Sequence, residues 1–305
     1  MDSVLSLMDH VKPATPAEAC QAFYVFASAS ILGINVLPAD LRSALMDYGA
    51  RLQGGNQKEP GKLAGILGLL RVPHSWFLHY YILSVACSGF WAWQYLTRGS
   101  VMEWLVKGQV RDGRESVELL RVFVAWGLMT LQGMRRLYES FFVMKPGSSP
   151  MSSIHWIVGQ VYYLDMSISV WIEGSGAILD SWNGIESSRR IPPRLPIAIG
   201  LFLAGWIKQN QCHKHLAGLK KYTLPDQGWF QRIVCPHYTS ECLIYLGLAL
   251  AAAPSGKIVN RTVLMGLMFV AVNLGTTASS TKKWYAEKFG PEKVASKWKM
   301  IPFIF

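Results

Sequence analysis

The chain has 305 residues, of which 51% are hydrophobic and only 16% charged, against about 25% charged in ordinary soluble domains. Soluble chains of this length often split into two domains, but here the apolar residues fall in long runs, which points to one membrane-embedded unit. The net charge of +11 is carried between and beside those runs, where cytoplasmic loops of membrane proteins collect Lys and Arg; that distribution argues against a nucleic-acid surface.

A hydrocarbon core takes about 20 apolar residues as helix. The first candidate span covers about residues 19–38, after an N-terminal segment, 1–18, that lacks the basic start of a signal peptide. Residues 39–71 are polar and glycine-rich, with Arg42, Arg51, Lys58, Lys62 and Arg71. The second span, about 75–96, is dense in aromatics and carries His79 near its start, a position that suits the membrane interface or a site. A charged connector, 97–115, leads to the third span, about 117–143.

In that third span Arg135, Arg136 and Glu139 sit among apolar residues. Arg135 and Glu139 are i,i+4 and can pair, which leaves Arg136 facing elsewhere. Arginine at such depth usually faces a cavity or a ligand, unless it snorkels to the interface. The fourth span, about 152–174, holds His155, Tyr162, Tyr163 and Asp165. A loop with Arg189, Arg190 and Pro192-Pro193 precedes a fifth span, about 194–209. Spans six and seven run over about 239–254 and 259–279, and a basic tail closes the chain.

Seven spans put the termini on opposite sides. One side, with the loops after spans one, three and five plus the tail, collects 19 Lys and Arg; the other collects 11 of the 30. The richer side is expected to be cytosolic. Asn260-Arg261-Thr262 is a glycosylation sequon on the other side, too close to the seventh span to be used.

The densest chemistry lies between Trp206 and Tyr245. Gln209 and His213 share a helix face; Lys220, Lys221 and Tyr222 follow; a turn at Pro225-Asp226-Gln227-Gly228 leads to Arg232, Pro236 and His237; and Tyr238, Glu241 and Tyr245 line one face of the sixth span. Cations suit phosphates, and amides, imidazoles and a carboxylate suit a ribose or an amide. The natural guest is a bulky anionic cofactor from the cytosol, with Lys282, Lys283 and Tyr285 of the closing stretch as partners of this segment. No G-x-G-x-x-G after a strand, Walker loop, G-x-S-x-G or H-E-x-x-H occurs. The five cysteines include no C-x-x-C pair, which speaks against a zinc site or disulfide framework. His213 and His215 are i,i+2, so they point apart on a helix and no metal is expected there.

Several pieces in order resemble the steroid 5α-reductase family, in particular its polyprenol (polyprenal) reductase branch. They are Val72-Pro73-His74-Ser75-Trp76-Phe77-Leu78-His79-Tyr80, Arg135-Arg136-Leu137-Tyr138-Glu139, Gln209 with Cys212-His213, Leu219-Lys220-Lys221, Asp226-Gln227-Gly228-Trp229-Phe230, Pro236-His237-Tyr238 with Glu241, Trp284-Tyr285, and the closing Ile301-Pro302-Phe303-Ile304-Phe305. The resemblance implies an all-α integral membrane protein of about seven transmembrane helices. Residues 19–305 would form one reductase domain, most of its cofactor site in about 194–305. It also implies NADPH taken from the cytosolic side, a long-chain polyprenoid lipid substrate reduced at its α-isoprene double bond for dolichol synthesis and N-glycosylation, and a place in the endoplasmic reticulum membrane with the C-terminus cytosolic.

By the same resemblance Arg136, Gln209, His213, Lys220, Tyr222, His237, Glu241 and Tyr285 line the NADPH pocket. Tyr138, His79 and Tyr285 are the candidate donors that would polarise the substrate carbonyl. The steroid branch holds its ketone with a glutamate and a tyrosine; the matching positions are Arg71 and Gly133, so a steroid is the poorer substrate. A histidine often found three residues before the closing tyrosine is Lys282 here. Two other readings compete: an isoprenylcysteine-type methyltransferase, which shares Pro-x-Tyr-x-x-Glu at a helix end, and a non-catalytic lipid-binding protein.

Overall fold

The computed structural model describes residues 14–305 except 39–40, 43–44, 46–69, 111–115, 146–149, 186–191 and 221. Arg51, Lys58, Lys62, Arg189, Arg190, Lys221 and most of the N-terminal segment therefore lie outside the described residues. The described chain is mostly helical. Its order is α1 (Pro16–Ile34), β1 (Arg71–Pro73), α2 (Leu78–Thr97), α3 (Ser100–Val110), α4 (Leu119–Phe142), β2 (Pro150–Ser152), α5 (Ser153–Ser169), α6 (Ser175–Trp182), α7 (Arg194–Gly218), α8 (Pro236–Ala251) and α9 (Arg261–Phe289). By length and composition α1 and α9 are able to cross a membrane.

The chain departs from the sequence reading at several junctions. The connector 97–115 contains a helix, α3, because Met102, Leu105 and Val106 give it a buried apolar face, while Glu103 and Lys107 pair one turn apart on its exposed side. The fourth span ends early and is followed by a separate short helix, α6. Pro236 opens α8 as its first residue, where a missing N–H costs nothing. α9 continues ten residues past 279, so Lys282, Lys283 and Tyr285 lie on a helix rather than in a tail. The all-helical expectation also lacked an antiparallel ribbon in which Arg71 pairs with Ser152, Val72 with Met151 and Pro73 with Pro150.

Small residues fix how closely the helices approach. A Cβ on Gly205 of α7 would stand 2.8 Å from the Ser240 carbonyl oxygen, and one on Gly247 of α8 would stand 2.8 Å from the Phe202 nitrogen. These two helices therefore meet backbone to backbone, as small residues allow in membrane bundles. Gly133 of α4 does the same against α2: its Cβ would lie 2.8 Å from Ser84 Oγ. The main core runs through α1, α2, α4, α5, α7, α8 and α9 and includes Tyr24, Trp91, Met166, Phe202, Tyr245 and Leu248.

Polar side chains tie the end of the bundle that carries the α8–α9 junction. Arg121 donates to the carbonyls of Leu250 and Ala251 at 2.7 and 2.8 Å, satisfying the free end of α8 with a cation where the helix dipole favours one. Asn260 is 1% exposed and caps α9, accepting from the Val263 N–H at 2.9 Å. A capping, buried amide is no glycosylation acceptor. All five cysteines are unpaired.

At the opposite end the closing stretch docks on the segment before α8. The N–H groups of Val234 and Cys235 donate to the carbonyls of Trp298 and Lys299 at 2.8 and 3.0 Å, and the Trp298 N–H returns to Arg232 at 2.9 Å. Ile233 and Trp298 form a parallel bridge. The pairing of these two stretches read from the sequence is thus a backbone pairing. Lys282 serves it differently from expectation: its ammonium donates to the carbonyls of Ala295 and Lys297 at 3.1 and 2.5 Å, holding the tail's turn rather than closing over a ligand.

Candidate active site: a buried carboxylate between two guanidinium groups

Residues Gln132, Arg135, Arg136 and Glu139 recur at helical spacing on α4 and all face inward, each less than 9% exposed. Glu139 is fully buried. Its Oε1 accepts from Arg135 Nη1 at 2.9 Å and from Asn210 Nδ2 at 2.7 Å. Its Oε2 accepts from Arg136 Nη1 and lies 2.7 Å from His213 Nδ1. The i,i+4 pairing of Arg135 with Glu139 is present. Arg136, expected to face elsewhere, also turns onto Glu139, because i and i+3 lie on the same face as i and i+4. Two cations thus share one carboxylate, with the Glu241 carboxylate a second anion one amide away through Gln209, an arrangement that a low-dielectric interior tolerates where the charged groups are also hydrogen-bonded.

The partners of these groups come from four helices. Gln209 of α7, 2% exposed, accepts from Gln132 Nε2 at 3.0 Å and from Arg135, and its own amide donates to Glu241 of α8. Arg136 Nη2 donates to the Tyr81 hydroxyl of α2 at 2.6 Å, and its Cζ stands 4.7 Å from the Tyr81 ring centroid. Arg135 lies over Trp206 at 5.1 Å. The His237 ring is 5.9 Å from that of His213 and the Gln209 amide approaches its carbonyl at 3.5 Å.

Of the residues singled out in the sequence, Arg136, Gln209, His213, His237 and Glu241 come together here. Lys220 is exposed on the loop after α7. Tyr222, held at a φ of 62°, meets Trp284 at 6.4 Å and lies under the Lys288 ammonium at 5.0 Å. Tyr285 packs on Trp284 and Phe289 and borders a second small core of Val234, Cys235, Ala278 and Met300. Nearby, Lys297 donates to the Phe230 carbonyl at 2.8 Å. Burial lowers its ammonium from the ordinary value, with Asp226 opposing the shift.

The candidate donors fare differently. Tyr138 is 55% exposed and packs on Phe142 at 5.1 Å, on an exposed flank of α4. It adjoins Glu139 in the chain, and one step along a helix turns it about 100° from that side chain. His79 sits in an aromatic group with Trp76 at 5.2 Å and Trp156 at 6.0 Å. Sequence reasoning passed over Tyr81, Gln132 and Asn210. Tyr81 lies in an aromatic-rich span where nothing marks one ring out; Gln132 was detectable, standing one helical turn before Arg135 and Arg136.

Several donors at this end of the bundle have no partner among the described residues. Among the described residues His237 Nδ1, His215 Nε2 and Arg135 Nε are enclosed without a protein partner, and Lys208, Lys214, Lys220, Arg232, Lys283, Lys288 and Lys299 lie around the same end of the bundle. Unspent N–H and imidazole groups beside a cation-rich rim fit a diphosphate with polar attachments. Among the described residues no group of three or more His, Cys, Asp or Glu is gathered to hold a metal ion.

Residues 160–305 match the family model described as 3-oxo-5-alpha-steroid 4-dehydrogenase. The chain is similar to "Polyprenal reductase 1" of Arabidopsis thaliana, 25% identical over 77% of this chain and 82% of the relative. It is similar to "Polyprenal reductase" of Xenopus tropicalis, 29% identical over 77% and 80%, and to "Polyprenal reductase" of Drosophila melanogaster, 26% identical over 82% of each.

Proposed function

We infer that this chain, which belongs to the 3-oxo-5-alpha-steroid 4-dehydrogenase (steroid 5α-reductase) family, is a membrane-bound polyprenal reductase, an oxidoreductase acting on a carbon–carbon double bond in dolichol synthesis. The relatives named polyprenal reductase in a plant, a frog and an insect carry this reading. The observation that favours it in the structure is the buried Arg135–Arg136–Glu139–His213 cluster, built into the bundle from α4 and α7. The resemblance puts Gly133 where the steroid branch has a tyrosine, which favours a polyprenoid over a steroid; a Cβ there would meet Ser84 Oγ at 2.8 Å.

The finer reading is a bundle of about seven transmembrane helices in the endoplasmic reticulum, with the site and C-terminus on the cytosolic side. Its support is the charge asymmetry of the sequence and the two helices long and apolar enough to span. Arg136, Gln209, His213, His237 and Glu241 would hold NADPH, with Lys220, Tyr222 and Tyr285 beside its phosphates. The bound cofactor supplies a hydride. The protein's part is to fix donors where negative charge develops on the substrate, to keep the site dry, and to place the alkene next to its carbonyl. Hydride adds readily only to a polarised alkene, so the aldehyde is the expected acceptor rather than the alcohol.

The test is NADPH oxidation by purified protein in detergent, with polyprenal, polyprenol and a 3-keto-4-ene steroid offered separately. Oxidation with polyprenal is expected. Steroid turnover would move the protein to the other branch. Folded protein that oxidises NADPH with none of the three would return the methyltransferase and lipid-binding readings.

A further inference from the structure

The cluster leaves one hydroxyl poised and unused. Tyr81 is 8% exposed. Its oxygen accepts from Arg136 at 2.6 Å, and among the described residues no hydrogen bond uses its own O–H. A buried donor without an acceptor is costly and rare, so the proton of this hydroxyl is kept for something the protein does not itself contain. The oxygen cannot swing away. Arg136 lies 4.7 Å over the ring, Tyr163 meets the ring edge-on at 5.8 Å, and Tyr163 in turn stacks on Tyr80 at 5.8 Å. Arg136 is held in its place by Glu139. A phenol that accepts from a cation is also the stronger donor, since hydrogen bonds in a chain polarise one another.

Tyr81 further stands where two environments meet. On one side is the polar cluster; on the other are the rings of Tyr80, Tyr163 and Tyr162, the last two 5.2 Å apart. An enal at the head of an isoprenoid has the same division, a carbonyl oxygen on an apolar chain. The hydroxyls of Tyr138 and Tyr285 meet neither condition, the first facing outward and the second lying in the tail's small core.

We propose that Tyr81 is the hydrogen-bond donor to the carbonyl oxygen of an α,β-unsaturated aldehyde, with Arg136 and Glu139 as the positioning residues that aim it. The proposal rests on the reductase reading. As the β-carbon gains hydride, the π electrons of the alkene shift to the α-carbon and the carbonyl oxygen, giving an enolate whose oxygen Tyr81 holds. One solvent-derived proton then adds at the α-carbon, the carbonyl re-forms, and the aldehyde leaves saturated while the dinucleotide is oxidised by two electrons. Tyr81 keeps its proton throughout.

The experiment uses geranial, a two-isoprene enal, on the full-length protein in detergent. Without dinucleotide, the absorption band of the bound enal reports polarisation of its carbonyl. A red shift is expected with wild type and with Tyr163→Phe, and none with Tyr81→Phe. Arg136→Lys, which keeps the charge but loses the fork, should give a reduced shift. With NADPH, Tyr81→Phe should lower kcat about 100-fold while KM changes little, the loss seen when one donor to a developing oxyanion is removed. A full shift and full kcat in folded Tyr81→Phe would overturn the assignment, as would a shift lost only in Tyr163→Phe. Wild type that shifts the band but oxidises no NADPH with geranial or polyprenal would sink the reductase reading and leave the donor intact. Wild type that oxidises NADPH without any shift would sink the donor and leave the reading.

Discussion

Glu139 and His213 are 74 residues apart in the chain, yet Glu139 Oε2 lies 2.7 Å from His213 Nδ1. With the carboxylate ionised, Nδ1–H donates to it and Nε2 is left as an acceptor. The same carboxylate is the ion-pair partner of Arg135 and Arg136, so removing its charge leaves two buried guanidinium groups without the anion they touch. Glu139→Gln should therefore cost about 3–5 kcal/mol, the usual penalty for breaking a buried ion pair from one side. Chemical unfolding in detergent would measure it; a loss below about 1 kcal/mol, the range of surface pairs, would mean the cluster is hydrated.

The close approach of α7 and α8 gives a second expectation. Gly205→Ala places a methyl 2.8 Å from the Ser240 carbonyl oxygen, which is backbone and cannot turn aside. Forcing the helices apart should cost about 1–3 kcal/mol. Gly200→Ala on the same helix meets nothing within 4 Å and is the matched control. Thermal unfolding of both variants decides it: equal midpoints would show that the helices have room to separate.

Deleting residues 298–305 removes the backbone partners of Arg232, Val234 and Cys235. These hydrogen bonds hold the segment that leads into α8, and with it His237 and Glu241. The truncated protein should bind NADPH at least about tenfold more weakly, each net hydrogen bond being worth about 0.5–1.5 kcal/mol. Fluorescence titration with NADPH is the check; unchanged affinity would detach the closing stretch from the site.

Glu241 accepts from the Gln209 amide, and both are expected cofactor contacts. Glu241→Gln keeps the shape and loses the charge-assisted bond, so its NADPH affinity should fall by about tenfold, near 1.5 kcal/mol. Tyr138→Phe should leave both affinity and turnover within about twofold, since exposed substitutions rarely exceed about 0.5 kcal/mol. Full loss of turnover in Tyr138→Phe would contradict the outward placement of that side chain.

Much of this was legible in the sequence. Long apolar runs marked the helices α1, α2, α4, α5, α7, α8 and α9, because a buried helix needs apolar residues whatever its partners. The spacing of Arg135 and Glu139 gave their pairing, because i,i+4 geometry is local, and part of the polar stretch from Trp206 to Tyr245 joins the same buried cluster. Short helices such as α3 escaped, since a few apolar residues among charges carry little signal. What only the tertiary structure decided is which side chains converge. The turn of Arg136 onto Glu139, the reach of Glu139 to His213, and the choice of Tyr81 from twelve tyrosines depend on how α2, α4, α7 and α8 rotate about their axes. That rotation is set by contacts such as Gly133 on Ser84 and Gly205 on Ser240, between residues far apart in the chain, and no local pattern encodes it.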